Sequence, residues 1–244
     1  MSDALNNYIN SLWKRRSELT ELISEKTKGR VYQGPFKGMK ILPKWCWGDG
    51  DIVGKILGLY ECELFDSIEE VIKSNPDIIL NIGSAEGYYG IGLSLRTNQK
   101  TILFDISETA INIARENAKE NFANKTYFLT DCRVEQYRKY LVNSVNPFIL
   151  MDCEGAEEEI LDLEVLPELI KTTVIVESHD CNRPGLTNKL IERFSRTHDI
   201  KLIPQGAKNP YLEITKDLCD YDKMILCCEA RPSTMVWLYM VPKS

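Results

Sequence analysis

The feature that most constrains this chain is a rhythm. From residue 77 onward, short apolar runs alternate with helix-period patterns five times. The runs fall at 77–82, 101–106, 126–129, 148–151 and 172–176, and helical patterns follow at 88–95, 107–122, 133–141, 156–163 and 186–198. Each run is nearly continuous, as in strands buried on both faces of a parallel sheet. Five consecutive strand–helix units predict a doubly wound, Rossmann-like α/β sheet. Residues 200–203 and 235–241 add two further runs, giving a seven-stranded, mostly parallel sheet.

The rest of the chain has a different texture. Residues 3–27 repeat Leu and Ile at helical spacing, and 29–60 are punctuated by nine glycines and prolines around Trp45 and Trp47. A second helical pattern spans 59–73 and ends at Asn75-Pro76, while 204–232 look irregular. The expected organisation is therefore a helical and loop-rich cap over 1–60 and an α/β domain over 61–244. The first helix is either packed on that domain, or is a lid or a contact for a homodimer.

Charge follows the same division. Residues 1–60 carry 10 Lys/Arg against 6 Asp/Glu, and the remainder carries 20 against 30. An acidic body repels phosphate, which argues against a nucleic-acid partner. No window reaches the ~18 apolar residues of a membrane span. The opening Met-Ser-Asp-Ala-Leu lacks a secretory signature, so the expected location is the cytoplasm. The eight cysteines contain no C-x-x-C pair and are expected to be reduced thiols in the core.

The chemistry is expected at the strand ends. Asn81-Ile82-Gly83-Ser84-Ala85-Glu86-Gly87-Tyr88 ends a strand and opens a helix, the place where this architecture binds nucleotide-like ligands. The order is wrong for the G-x-G-x-x-G of a dinucleotide site. Asn81 and Glu86 add polar atoms that suit the amino-acid part of S-adenosylmethionine. Asp105, with Ile106 beside it, follows Gly87 at about the spacing of an acid that accepts from ribose hydroxyls; its other reading is a helix N-cap. Asp131 and Cys132 end the third strand, where an acid accepts from an adenine amino group or is simply solvated.

These residues resemble the class I S-adenosylmethionine-dependent methyltransferases and, among them, the FkbM family. The resemblance is carried by residues 81–89, Phe104-Asp105, Met151-Asp152-Cys153-Glu154-Gly155-Ala156-Glu157 and Val176-Glu177-Ser178-His179. It covers residues 60–180 and departs at Asn81, usually acidic, and Ala85, usually Gly. It implies methyl transfer to a hydroxyl of a sugar, glycolipid or secondary metabolite, hence a small-molecule or glycan acceptor. A silent S-adenosylmethionine-binding subunit and a methyltransferase acting on protein or nucleic acid are the alternatives.

Methylating an alcohol requires a base for its proton or a divalent cation to acidify it. Asp152, Glu154 and His179 are the catalytic candidates, with His179 suited to act near neutral pH. Asp152, Glu154, Glu177 and Asp180 are oxygen ligands for a divalent metal, if one is used. His179 and Glu154 could instead be caps. Glu157, Glu158 and Glu159 read as a solvated first helical turn. Trp45, Trp47, Tyr88 and Tyr89 either line an acceptor pocket or pack in the core.

Overall fold

A computed structural model describes residues 3–44, 46, 51–231 and 233–243. Among these, nine α-helices are formed: α1 (Asp3–Thr27), α2 (Ile52–Leu57), α3 (Phe65–Ser74), α4 (Tyr88–Thr97), α5 (Glu108–Glu120), α6 (Val134–Leu141), α7 (Glu157–Ile160), α8 (Leu186–Phe194) and α9 (Asp220–Cys227). The strands are β1 (Ile78–Ile82), β2 (Lys100–Phe104), β3 (Thr126–Leu129), β4 (Pro147–Met151), β5 (Thr173–Ser178), β6 (His198–Pro204) and β7 (Val236–Pro242). None of these helices is long and apolar enough to cross a membrane.

The strands form one sheet in the order β3-β2-β1-β4-β5-β7-β6. The first five are parallel, and β7 runs antiparallel between β5 and β6. This is the predicted seven-stranded, mostly parallel, doubly wound sheet. Strand alternation divides its apolar residues between two faces. On one, Leu80, Ile82, Phe104, Ile149, Met151, Val174, Val176 and Leu238 pack with Tyr137, Leu141, Leu186, Leu190 and Phe194 from α6 and α8. On the other, α4 packs against β1 and β2. Strands β1 and β4 are buried along their whole length, which is why they read as continuous apolar runs, whereas β3 and β6 at the two edges of the sheet are partly exposed.

The chain divides into two compact units. One is residues 63–205 with 232–244, and holds the sheet. The other is residues 1–62 with 206–231. Residues 206–231, which the sequence reading left inside a 61–244 domain, thus group with the N-terminal segment. In that unit α1 packs on α2 and α9. Arg15 clamps Asp222 of α9 with two hydrogen bonds of 2.8 and 2.7 Å. Asp51 pairs with Lys55 at 2.6 Å and Glu229 with Lys208 at 2.9 Å, all four side chains being buried.

Helices α2 and α9 correct the expectation of loop. All six residues of α2 are buried, so it shows no amphipathic period to read. It stops at Gly58, whose φ is +66° and whose Cα lies so close to Gln33 that a Cβ would stand 2.2 Å from its carbonyl oxygen. The expectation of core cysteines is also corrected: Cys181, Cys219 and Cys228 are exposed and the other five half-buried. All eight are free thiols. Trp45 and Trp47 lie outside the described residues.

Candidate functional site

The parallel register lines the strand ends up on one edge. Ile82 is level with Phe104 and Met151, Phe104 with Leu129, and Met151 with Val176. The residues just past these positions are Gly83, Asp105, Asp152 and the 177–180 segment, so the predicted candidates reach the same edge. In a sheet of this order the chain reverses direction of build between β1 and β4, which opens a ligand crevice there.

The turn after β1 is tightly specified. Gly83, Ala85 and Gly87 all have positive φ, near +74°, +47° and +88°. A Cβ on Gly83 would stand 1.6 Å from the Asp152 carbonyl oxygen, so no other residue fits that backbone. The Gly83 and Ser84 N–H groups both donate to the Phe104 carbonyl at 2.9 Å. Asp105 fixes the turn from β2: its Oδ2 accepts from the Ala85 N–H at 2.8 Å and its Oδ1 from the Ser107 N–H at 2.8 Å. Ser107, not Asp105, caps α5, its side chain accepting from the Ala110 N–H. Ile106 beside it is 76% exposed, an apolar surface at the edge. Ser84 is 4% exposed, and its Oγ has no hydrogen-bond partner among the described residues.

Other candidates carry structural duties. Asn81 is buried, and its Oδ1 accepts from the Gly90 N–H of α4 at 3.0 Å. Glu86 and Tyr88 are buried. Tyr88 and Tyr89 meet edge to face, and Tyr89 meets Trp237 of β7 in the same way. Asp131 accepts from Arg133 at 2.8 and 2.6 Å and from Gln136 at 3.0 Å. The Arg133 hydrogen bonds hold its carboxyl down at about 2. Burial pushes the Cys132 and Cys153 thiols up, which suits neither to nucleophilic work.

The second centre is built on β4 and β5. His179 is 2% exposed, and its Nδ1 lies 2.7 Å from Glu157 Oε1. Glu157 is 0% exposed and also accepts from the Cys153 N–H at 3.2 Å. This corrects the reading of Glu157 as solvated. The signal was there: Ile160 and Leu161, three and four residues on, mark the inward stripe of α7, and Glu157 lies on it. Glu158 and Glu159 face Lys189 and Arg183 instead.

Glu157 Oε1 accepts the hydrogen bond of His179 Nδ1–H, which leaves Nε2 facing the opposite side. There Asp152 Oδ1 stands at 3.4 Å, Glu154 Oε2 at 3.5 Å and Glu177 Oε2 at 3.5 Å. Burial pulls the His179 pKa down, but the Glu157 hydrogen bond and the charges of Asp152, Glu157 and Glu154 outweigh it, and the pKa is raised. Asp180 is not in this cluster. It receives Gly185 N–H at 3.0 Å, Thr187 N–H at 3.2 Å and the Ser178 hydroxyl at 3.1 Å, which ties down the start of α8. Trp237, which sequence reasoning did not single out, pairs directly opposite Glu177.

No family model matches the chain, and no curated protein matches it in sequence. Among solved structures it is similar to an rRNA methylase from Streptococcus thermophilus, at 13% identity, TM-score 0.49, over 73% of this chain and 96% of that one. It is similar to an O-methyltransferase from Bacillus cereus in complex with SAH, at 13% identity, TM-score 0.49, over 93% and 90%. A precorrin-6y C5,15-methyltransferase from Geobacter metallireducens gives 11% identity, TM-score 0.48, over 74% and 89%. Likeness at this level assigns no function.

Proposed function

We propose that the chain is an S-adenosylmethionine-dependent methyltransferase, and in finer detail an O-methyltransferase resembling the FkbM family. The observation that carries the reading is one shared edge: the positive-φ turn 83–87, Asp105 and the His179 cluster all follow strands that are level in register. Two features fit the donor. Ser84 keeps a buried hydroxyl oxygen without a partner among the described residues. Asp105 is positioned by the Ala85 and Ser107 N–H groups, and a carboxylate is an acceptor of the kind that suits a pair of ribose hydroxyls.

Residues 83–88 would hold the amino-acid end, Asp105 the ribose, and Ile106 and Cys132 the adenine. Asp131, already held by Arg133 and Gln136, would accept from the adenine amino group at its rim. S-adenosylmethionine supplies an electrophilic methyl group when bound. The chain's own work is to orient an acceptor hydroxyl and provide for its proton, and Asp152, Glu154 and His179 are the groups for it.

Calorimetry with S-adenosylhomocysteine tests the reading. Wild type is expected to bind, and Asp105→Ala to lose at least tenfold in affinity. No binding by wild type, or unchanged binding by the variant, rejects it. Binding with no turnover across a panel of hydroxylated acceptors would instead make the chain a silent partner subunit.

A further inference from the structure

We propose that the cluster on β4 and β5 is a binding site for a first-row divalent transition metal, held by His179 Nε2, Asp152 and Glu154. The site itself stands on geometry alone; only its chemical role rests on the methyltransferase reading.

Four observations converge. First, one ligand atom from each of the three residues falls within 4.8 Å of the others. Secondly, the contacts of Nε2 are too long for good hydrogen bonds, whose donor–acceptor distance is about 2.7–3.2 Å. They stand instead at 3.4, 3.5 and 3.5 Å. With metal–ligand bonds of about 2.1 Å, neighbouring donors of a tetrahedral site lie about 3.4 Å apart. Thirdly, a buried imidazole is aimed into the carboxylates. His179 is 2% exposed, and among the described residues its Nε2 makes no hydrogen bond. Fourthly, Nδ1 is bound by Glu157, which is fully buried and itself fixed by the Cys153 N–H. A carboxylate behind a ligating histidine is the usual means of fixing its tautomer and raising its basicity.

The donor set narrows the ion. An imidazole among carboxylates suits Mn²⁺, Co²⁺ or Zn²⁺ better than Mg²⁺, which prefers oxygen ligands and water. Glu154 is the arm that closes: its side chain is 78% exposed, on a backbone turned to φ +57° beside Gly155. Glu177 Oε2, beside Nε2, is a fourth donor within reach. Asp180 is committed to the start of α8 and takes no part. With the cation in place His179 is a ligand and not a base. A hydroxyl bound to the cation would be acidified, so that its proton leaves to solvent while the electron pair stays on oxygen.

Titration of Mn²⁺ alone into the full chain, followed by loss of the six-line signal of free Mn²⁺ in electron paramagnetic resonance, tests the site. One saturable equivalent is expected. Glu154→Gln, an exposed substitution that leaves the core intact, and His179→Ala should each weaken binding at least tenfold. Glu157→Gln should weaken it by roughly 10–100-fold. Glu159→Gln, on the neighbouring surface, should bind like wild type. Absence of saturable binding, or full-strength binding by both Glu154→Gln and His179→Ala, overturns the proposal. S-adenosylhomocysteine binding is measured on the same samples. A chain that binds it but not Mn²⁺ loses only the metal site, and the converse loses only the methyltransferase reading.

Discussion

Gly83 has little conformational freedom. Its φ of +74° costs any other residue about 1–2 kcal/mol in left-handed backbone. A Cβ there also overlaps the Asp152 carbonyl oxygen at 1.6 Å. Gly185 is the natural control, with φ +84° and nothing within 4 Å of a Cβ. Gly83→Ala is therefore expected to lower the urea midpoint clearly more than Gly185→Ala; equal losses would mean the turn relaxes freely. His198 gives a pH prediction. Its Nε2–H donates to the Thr172 carbonyl at 3.0 Å, its Nδ1 meets the Thr197 hydroxyl at 2.8 Å, and burial lowers its pKa. A histidine depressed in the fold binds its proton more readily when unfolded. Its contribution is thus present above the ordinary value of about 6.5 and is lost as the pH falls below it. The drop in melting temperature from pH 7 to pH 5 should be shallower in His198→Asn; an unchanged slope would remove His198 from the account.

At the scale of elements, α4 is capped from outside itself. Its N-cap is Gly87, which has no side chain, and its third residue, Gly90, gives its N–H to Asn81 of β1. Asn81 therefore joins strand to helix and holds the opening of α4 beside the turn 83–87. That explains an amide inside a strand better than direct ligand contact does. Asn81→Ala would leave a first-turn N–H buried without its acceptor, at a cost of about 1–3 kcal/mol. Denaturant unfolding reads this directly, and a loss below a few tenths would show that water or a shifted turn replaces the amide. The elements that sequence reasoning missed fail for a related reason. Helix α2 is buried all round, so the hydrophobic period that reveals α1 and α5 is absent. Helix α9 is eight residues long and follows a stretch rich in turn formers.

At the scale of the molecule, the fold was legible because its signal is distributed. Each strand of a sheet buried on both faces must be a short apolar run, and each crossover needs a helix, so the alternation from residue 77 onward defines the architecture without knowledge of any contact. The same logic made the sheet edge readable: residues that follow strand ends meet there whatever their side chains do. Asp105, Asp152 and His179 are expected at that edge on this ground, and they follow strand ends that are level in register. What the sequence could not settle is which carboxylate serves which neighbour. Glu157, Glu158 and Glu159 are chemically identical, yet one is sealed against His179 while the others meet Lys189 and Arg183. Asp180 lies one residue from His179 and turns to α8. Nor could it show that residues 206–231 group with 1–62, since that depends on contacts between segments far apart in the chain. Periodicity and turn chemistry are local and survive in a linear string. The pairing of charges, the burial of a single acid and the grouping of distant segments depend on distances that exist only once the chain has packed.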